Sequence, residues 1–166
     1  TTRSDEVISL FSDTTEMRNA HEALFNSEKM LRNIFDNVQV GVELYDKEGC
    51  LVDINTKNLD IFGIAAKEDV LGINFFENPI VPEEIRRNVR NGQEQAFKLD
   101  YHFNRLDGYY SSGKNGNVQI YTTVTMLYDM YGELINFVVI NIDNTEINEA
   151  YSRLAEFESS FSLVSR

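Results

Sequence analysis

The two ends of this chain repeat each other. Asp13-Thr14-Thr15-Glu16 reappears 130 residues later as Asp143-Asn144-Thr145-Glu146, each copy behind an apolar run (residues 7–11 and 137–142). Each copy also precedes a long periodic stretch. In the first, Met17, Ala20, Leu24, Ser27, Leu31, Ile34 and Val38 are spaced alternately 3 and 4; in the second, Ile147, Ala150, Leu154, Phe157, Phe161 and Val164 do the same. That alternation holds a narrow stripe on one side of a helix, the pattern of a coiled-coil seam. A repeat at whole-domain spacing predicts a piece of a tandem array: one complete unit between two connecting helices. The expected organisation is residues 1–13 as the last strand of a preceding unit, 14–37 as a connecting helix, 38–146 as a domain, and 147–166 as a second connecting helix.

Bulk properties narrow what such a unit can do. A hydrophobic fraction of 42% over 166 residues is enough for one globular core. The longest apolar runs fall well short of the ~18 residues needed to span a membrane. Lys and Arg number 15 against 27 Asp and Glu, giving a net charge of −12, which argues against binding nucleic-acid phosphates. The densest basic spot, Arg86, Arg87 and Arg90, reads as a solvated helix face. Cys50, the single cysteine, cannot form an internal disulfide, so a reducing, cytoplasmic setting is expected.

Between the periodic stretches the pattern changes. A hairpin is expected from residues 40–45 and 50–54 around the turn Asp46-Lys47-Glu48-Gly49. A short helix follows over 56–62, stopped by Gly63, then a turn or two at 67–71, then a helix over 82–91 with Pro82 in its first turn. Phe97, Leu99, Tyr101 and Phe103 alternate with polar residues, the mark of a half-buried strand. Residues 105–117, with three glycines, read as a long exposed loop. Strands at 118–128 and 134–142 complete the set, the last apolar at nearly every position, so that both of its faces are expected to be covered, at the centre of the sheet. Five antiparallel strands with small helices on one face is an α+β architecture.

The order of these pieces resembles the PAS domain, a family of small sensory modules. The resemblance rests on Ser27-Glu28 with Leu31-Arg32-Asn33-Ile34-Phe35-Asp36-Asn37, on Tyr45-Asp46 with Gly49, on Val52-Asp53-Ile54-Asn55, Phe62-Gly63 and Val70-Leu71-Gly72, and on Asp143-Asn144-Thr145-Glu146, similar to the family's exit motif. It implies the sheet order 2-1-5-4-3, and a signal carried along the connecting helices. It also implies a homodimer, with neighbouring PAS units and an output domain, commonly a histidine kinase, in the same chain. Asp143 and Thr145 are then expected to hydrogen-bond where the last strand becomes the outgoing helix, although a plain helix cap fits equally. The helix seams are Met17, Ala20, Leu24 and Leu31, with Ile147, Ala150, Leu154 and Phe161.

The resemblance also locates a cavity between sheet and small helices. Inward candidates are Phe62, Phe76, Ile85, Val89, Phe97, Leu99 and Tyr101, with Asn55 and Thr123 as polar contacts; most are explained as well by a filled core. An unidentified small ligand fits this picture, and no resident cofactor is expected. The light-sensing branch needs a cysteine where Gly72-Ile73-Asn74-Phe75-Phe76 places Phe75, which disfavours photoreactive flavin. Haem is disfavoured because the 82–91 helix has no histidine and His102 alternates outward. His21 lacks both the phosphoacceptor surroundings and the zinc-protease spacing. No catalytic set or metal cluster is legible. Two functions remain: a signal-transducing sensory module, and a ligand-free spacer that only dimerises.

Overall fold

A computed structural model describes residues 2–164; the outermost ends of the two connecting stretches, Thr1, Ser165 and Arg166, lie outside it. The chain divides into two units, Thr1–Asn37 and Val38–Arg166.

The first unit is helix α1, Thr2–Asn37. Residues 1–13 were expected to be the last strand of a preceding unit, and over 2–13 the structure has helix instead. A lone strand would leave its backbone amides and carbonyls without a ladder partner, whereas a helix satisfies them within the segment. Thr14, where the connecting helix was expected to begin, lies inside it: the Thr14 and Thr15 hydroxyls donate to the carbonyls of Leu10 and Phe11, each at 2.8 Å. Val7, Ile8, Leu10 and Phe11 are exposed, as are Met17, Ala20, Leu24 and Leu31 of the expected seam.

The second unit is built on one antiparallel sheet of β1 (Gly41–Asp46), β2 (Leu51–Ile54), β3 (Gln95–His102), β4 (Asn117–Tyr128) and β5 (Leu134–Asp143). Its order, β2-β1-β5-β4-β3, is the one the family resemblance implied. Apolar β5 is central, paired with β1 on one side and β4 on the other. Helices α2 (Thr56–Phe62) and α3 (Glu83–Arg90) and short 3-10 turns fill the long crossover from β2 to β3. Helix α2 ends at Gly63, whose φ of +65° is the left-handed conformation a glycine adopts without strain. Helix α4, Thr145–Val164, leaves directly from β5.

The strand period of two decides which side chains meet. Gly41 faces Asn141, which faces Thr122, which faces Phe97; the next row is Glu43, Val139, Val124 and Gln95. These rows, with Tyr45, Phe137 and Met126, form the face against which α2 and the 3-10 turns pack, and Ile61, Phe62, Val70, Phe75 and Val89 close the core from that side. The opposite face, carrying Val138, Ile140 and Ile142, keeps part of its accessible surface, so β5 is fully covered on one side only.

Candidate functional site

A cavity of about 40 Å³ lies between the inner face of the sheet and the small helices. That is room for about three waters. Of the residues expected to line it, Phe62, Phe97, Leu99 and Tyr101 do, and Asn55, Phe76, Ile85, Val89 and Thr123 do not. Each departure has a local cause. Thr123 pairs with Ala96 and Ile140 on the outer face, so its neighbour Thr122 points inward in its place. In the 3-10 turn Phe75–Glu77, Phe75 takes the buried position at 2% exposure, while Phe76 lies at the rim beneath the Arg90 guanidinium, 4.6 Å from its ring centre. Ile85 and Val89 belong to the surrounding core.

Asn55 is fully buried but serves as a strut. Its Oδ1 accepts from the amides of Val42 (2.8 Å) and Asn58 (3.0 Å), and its Nδ2 donates to the Val40 carbonyl at 2.9 Å. One side chain thus caps α2 and fixes that helix to the start of β1.

The residue that most distinguishes the cavity is Glu43. Its period-two neighbours on β1 are Gly41 and Tyr45, and all three face inward. The Tyr45 hydroxyl donates to Glu43 Oε2 at 2.9 Å, and Asn58 Nδ2 donates to Oε1 at 2.6 Å. Asn58 Oδ1 in turn accepts from Asn141 Nδ2 at 3.0 Å, and Asn141 Oδ1 accepts from the Thr122 hydroxyl at 2.9 Å. A chain of donors therefore runs from β4 through β5 and α2 to a carboxylate on β1. Glycine is required at position 41, because a Cβ there would run into Asn58 Oδ1.

Burial raises the Glu43 carboxyl above its ordinary value, opposed by hydrogen bonds from Tyr45, Asn58 and Asn141. Burial first, and the negative charge of Glu43 second, hold the Tyr45 hydroxyl well above the usual phenol range. Burial likewise keeps Tyr101, Tyr109 and Tyr110 neutral. A raised carboxylate binds its proton more tightly folded than unfolded. Stability attributable to Glu43 therefore falls as pH rises from 4.5 to its higher folded value, then levels off. Urea titrations across this range should show the wild type losing ground to Glu43→Gln as pH rises, by about 1.4 kcal/mol for each unit separating the two values. Parallel pH profiles would contradict a buried ionising Glu43.

The fourth wall departs from expectation. The connection between β3 and β4, expected to be an exposed loop, buries Leu106 and lays Tyr109 and Tyr110 over the cavity. It is held by Tyr109 Oη to the Asn74 carbonyl (2.8 Å), by a 2.9 Å contact between the Tyr110 and Tyr101 hydroxyls, and by Ser112 Oγ to the Phe62 carbonyl (2.7 Å). The amide of Gly113 adds a bond to the Gly63 carbonyl at 2.7 Å. The apolar Leu106 and the adjacent pair Tyr109-Tyr110 were the usable signal here, hidden by the glycines around them.

At the far end of β5, two residues beyond Asn141, the strand becomes α4. Asp143 Oδ1 accepts from the Thr145 amide at 2.9 Å, capping the helix. The Thr145 hydroxyl accepts from the Gln119 amide at 3.1 Å, the Asn144 amide donates to the Gln119 carbonyl at 2.9 Å, and Asn148 Nδ2 donates to Gln119 Oε1. Helix α4 is thereby bonded to β4 as well as continued from β5. The backbone of Glu146 lies in this first turn. Along α4, Ile147, Ala150, Leu154 and Phe161 are exposed, and the Phe157 and Phe161 rings stack at 6.5 Å.

Cys50 is partly buried, within 3.7 Å of Asn74 Nδ2 on the β1–β2 hairpin. His102 lies 3.3 Å from Asp100 and does not line the cavity, and His21 is exposed on α1. Among the described residues no group of three or more His, Cys, Asp or Glu converges, and no helix is long and apolar enough to cross a membrane.

The profile of the PAS fold matches residues 29–143. The chain belongs to the PAS family. Solved PAS structures share its architecture at low identity. The PAS domain of an HTR-like protein from Haloarcula marismortui superposes with a TM-score of 0.57 at 16% identity, over 76% of this chain and 98% of that one. The PAS domain of BvgS from Bordetella pertussis gives 0.51 at 21%, over 81% and 98%. An RNA-binding light-oxygen-voltage receptor gives 0.59 at 18%, over 84% of this chain but 39% of its own. A comparison with curated proteins returns no match. PAS domains are signal-sensing modules, so a sensory role is the coarse function this membership carries. At about 40 Å³ the cavity is far below the ~300 Å³ at which pockets for drug-sized ligands begin.

Proposed function

We propose that this PAS domain converts the state of its inner cavity into a change at the root of α4, and passes it through the connecting helices to an output domain. The observation that carries this is continuity along β5. Asn141 belongs to the Glu43 network and Asp143, two residues on, caps α4, so one strand holds both the sensing groups and the lever. A central strand packed on both edges cannot shift one without the other, and two packings of the junction supply the two states that signalling needs. The seams of α1 and α4 and the partly accessible outer sheet face support a homodimer, with the seams pairing between copies. A cytoplasmic multi-domain transducer of the histidine-kinase type is the parent this arrangement suits. The domain itself is not an enzyme in this proposal.

In the full-length parent, Asp143→Ala combined with Thr145→Ala should change output several-fold while lowering stability of the domain by about 2 kcal/mol, about 1 for the cap and about 1 for the bond to Gln119. Reporter activity and chemical denaturation measured on the same variant decide it. Stability loss with unaltered output would favour the second function, a spacer that dimerises without sensing.

A further inference from the structure

The cavity has a definite chemical character. Glu43 is the only carboxyl group in its lining, and no lysine, arginine or histidine lines it. The remainder of the wall is largely aromatic, with rings from β1 (Tyr45), α2 (Phe62), β3 (Phe97, Tyr101) and the β3–β4 connection (Tyr109, Tyr110). The hydroxyl protons are mostly committed: Tyr45 donates to Glu43, Tyr109 to the Asn74 carbonyl, and Tyr101 and Tyr110 share one contact, leaving a single proton between them. Acceptor capacity is what remains. A carboxylate offers about four lone-pair sites, and Tyr45 and Asn58, with Asn141 close by, do not fill them. Spare acceptors, one negative charge and several aromatic rings are together complementary to a compact positive ion carrying N–H donors. An anion would meet the Glu43 charge with one hydroxyl proton and the Asn78 amide group to offset it.

We propose that the cavity is a receptor site for a small alkylammonium cation, its N–H groups donating to Glu43 and its alkyl carbons resting against the aromatic rings, Leu99 and Val139. This rests on the sensory function proposed above and specifies its ligand class. Room for about three waters sets the size at three or four non-hydrogen atoms. The charge of such an ion also offsets the desolvation of Glu43, so occupancy and the polarity of the Glu43–Asn58–Asn141 chain are linked.

The test compares three probes on the wild-type protein by amide NMR and thermal melting at constant ionic strength: ethylammonium, ethanol and acetate. Ethylammonium should give saturable shifts at the amides of Leu99, Tyr110 and Val139 and raise the melting temperature, with ethanol and acetate at least ten-fold weaker. Glu43→Gln, close to isosteric, should weaken ethylammonium at least ten-fold. Equal affinity for ethanol, unchanged ethylammonium binding in Glu43→Gln, or no saturable response to ethylammonium overturns the proposal. Ethanol binding at the same amides as tightly as ethylammonium would discard the cation while leaving a ligand-sensing domain intact, whereas the Asp143/Thr145 output experiment tests sensing whatever the ligand. The wild-type selectivity alone decides the question should Glu43→Gln fail to fold.

Discussion

Asn55→Ala is expected to destabilise the domain by about 3–5 kcal/mol. The side chain is entirely removed from solvent and satisfies the amides of Val42 and Asn58 and the carbonyl of Val40. Alanine leaves all of these backbone groups unpaired near the core, at about 1–3 kcal/mol each, with some recovered by relaxation. The damage should extend beyond stability. Asn55 caps the helix that presents Asn58 to Glu43, so the donor chain loses its middle member when α2 frays. Urea unfolding should show a lower midpoint with unchanged slope. A loss under 1 kcal/mol would mean that water replaces the side chain and that α2 is not anchored as described.

Phe137→Ala is expected to cost a similar amount, about 3–5 kcal/mol, through a different mechanism. Phe137 is 1% exposed at the middle of β5, stacked on Tyr45 with ring centres 5.0 Å apart and in edge contact with Phe75 at 5.5 Å. Truncation removes a large apolar group from water-free surroundings and leaves a void, because the two partner rings are held by the sheet and by the turn at Phe75–Glu77 and cannot collapse into it. Thermal unfolding should fall on the order of 10–20 °C. A loss near 1 kcal/mol would show that the small helices repack freely, and would also weaken the idea that β5 transmits a displacement rigidly. Phe137→Leu should recover most of the loss in either case, since it restores volume without the ring.

The two variants separate what holds the site. Asn55 works through directional bonds at one point, and its loss releases a helix. Phe137 works through area and shape, and its loss softens the whole wall facing the cavity. Glu43 depends on both, since Tyr45, one of its donors, is stacked on Phe137, while Asn58, the other, stands on the helix Asn55 caps.

Much was legible along the chain because the governing interactions are local. Alternation in β3 placed Phe97, Leu99 and Tyr101 inward, since successive side chains on a strand must take opposite faces. The apolar run of β5 demanded a central place and received one. Gly63 marked the end of α2, and Asp143 with Thr145 marked the beginning of α4, because caps are made by residues within a few positions of the helix end. Residues 7–11 misled for an equally local reason: five mostly apolar residues fit a strand or a helix, and only the availability of a partner strand distinguishes them.

What the tertiary structure alone decided is non-local. Glu43 shares its strand face with Gly41 and Tyr45, yet a glutamate in an alternating strand reads as solvent-facing until pairing with β5 turns that face toward the core. Asn141, Asn58 and Thr122 are polar residues in unremarkable settings, brought together by register across two strand pairs and by the anchoring of α2. The covering role of Tyr109 and Tyr110 depends on where a glycine-rich connection can dock. The linear order of residues therefore determined the elements and the family, through contacts spanning a few positions. The cavity and its buried carboxylate arise from pairings of residues tens of positions apart, whose burial cost and hydrogen bonds exist only once the sheet has closed.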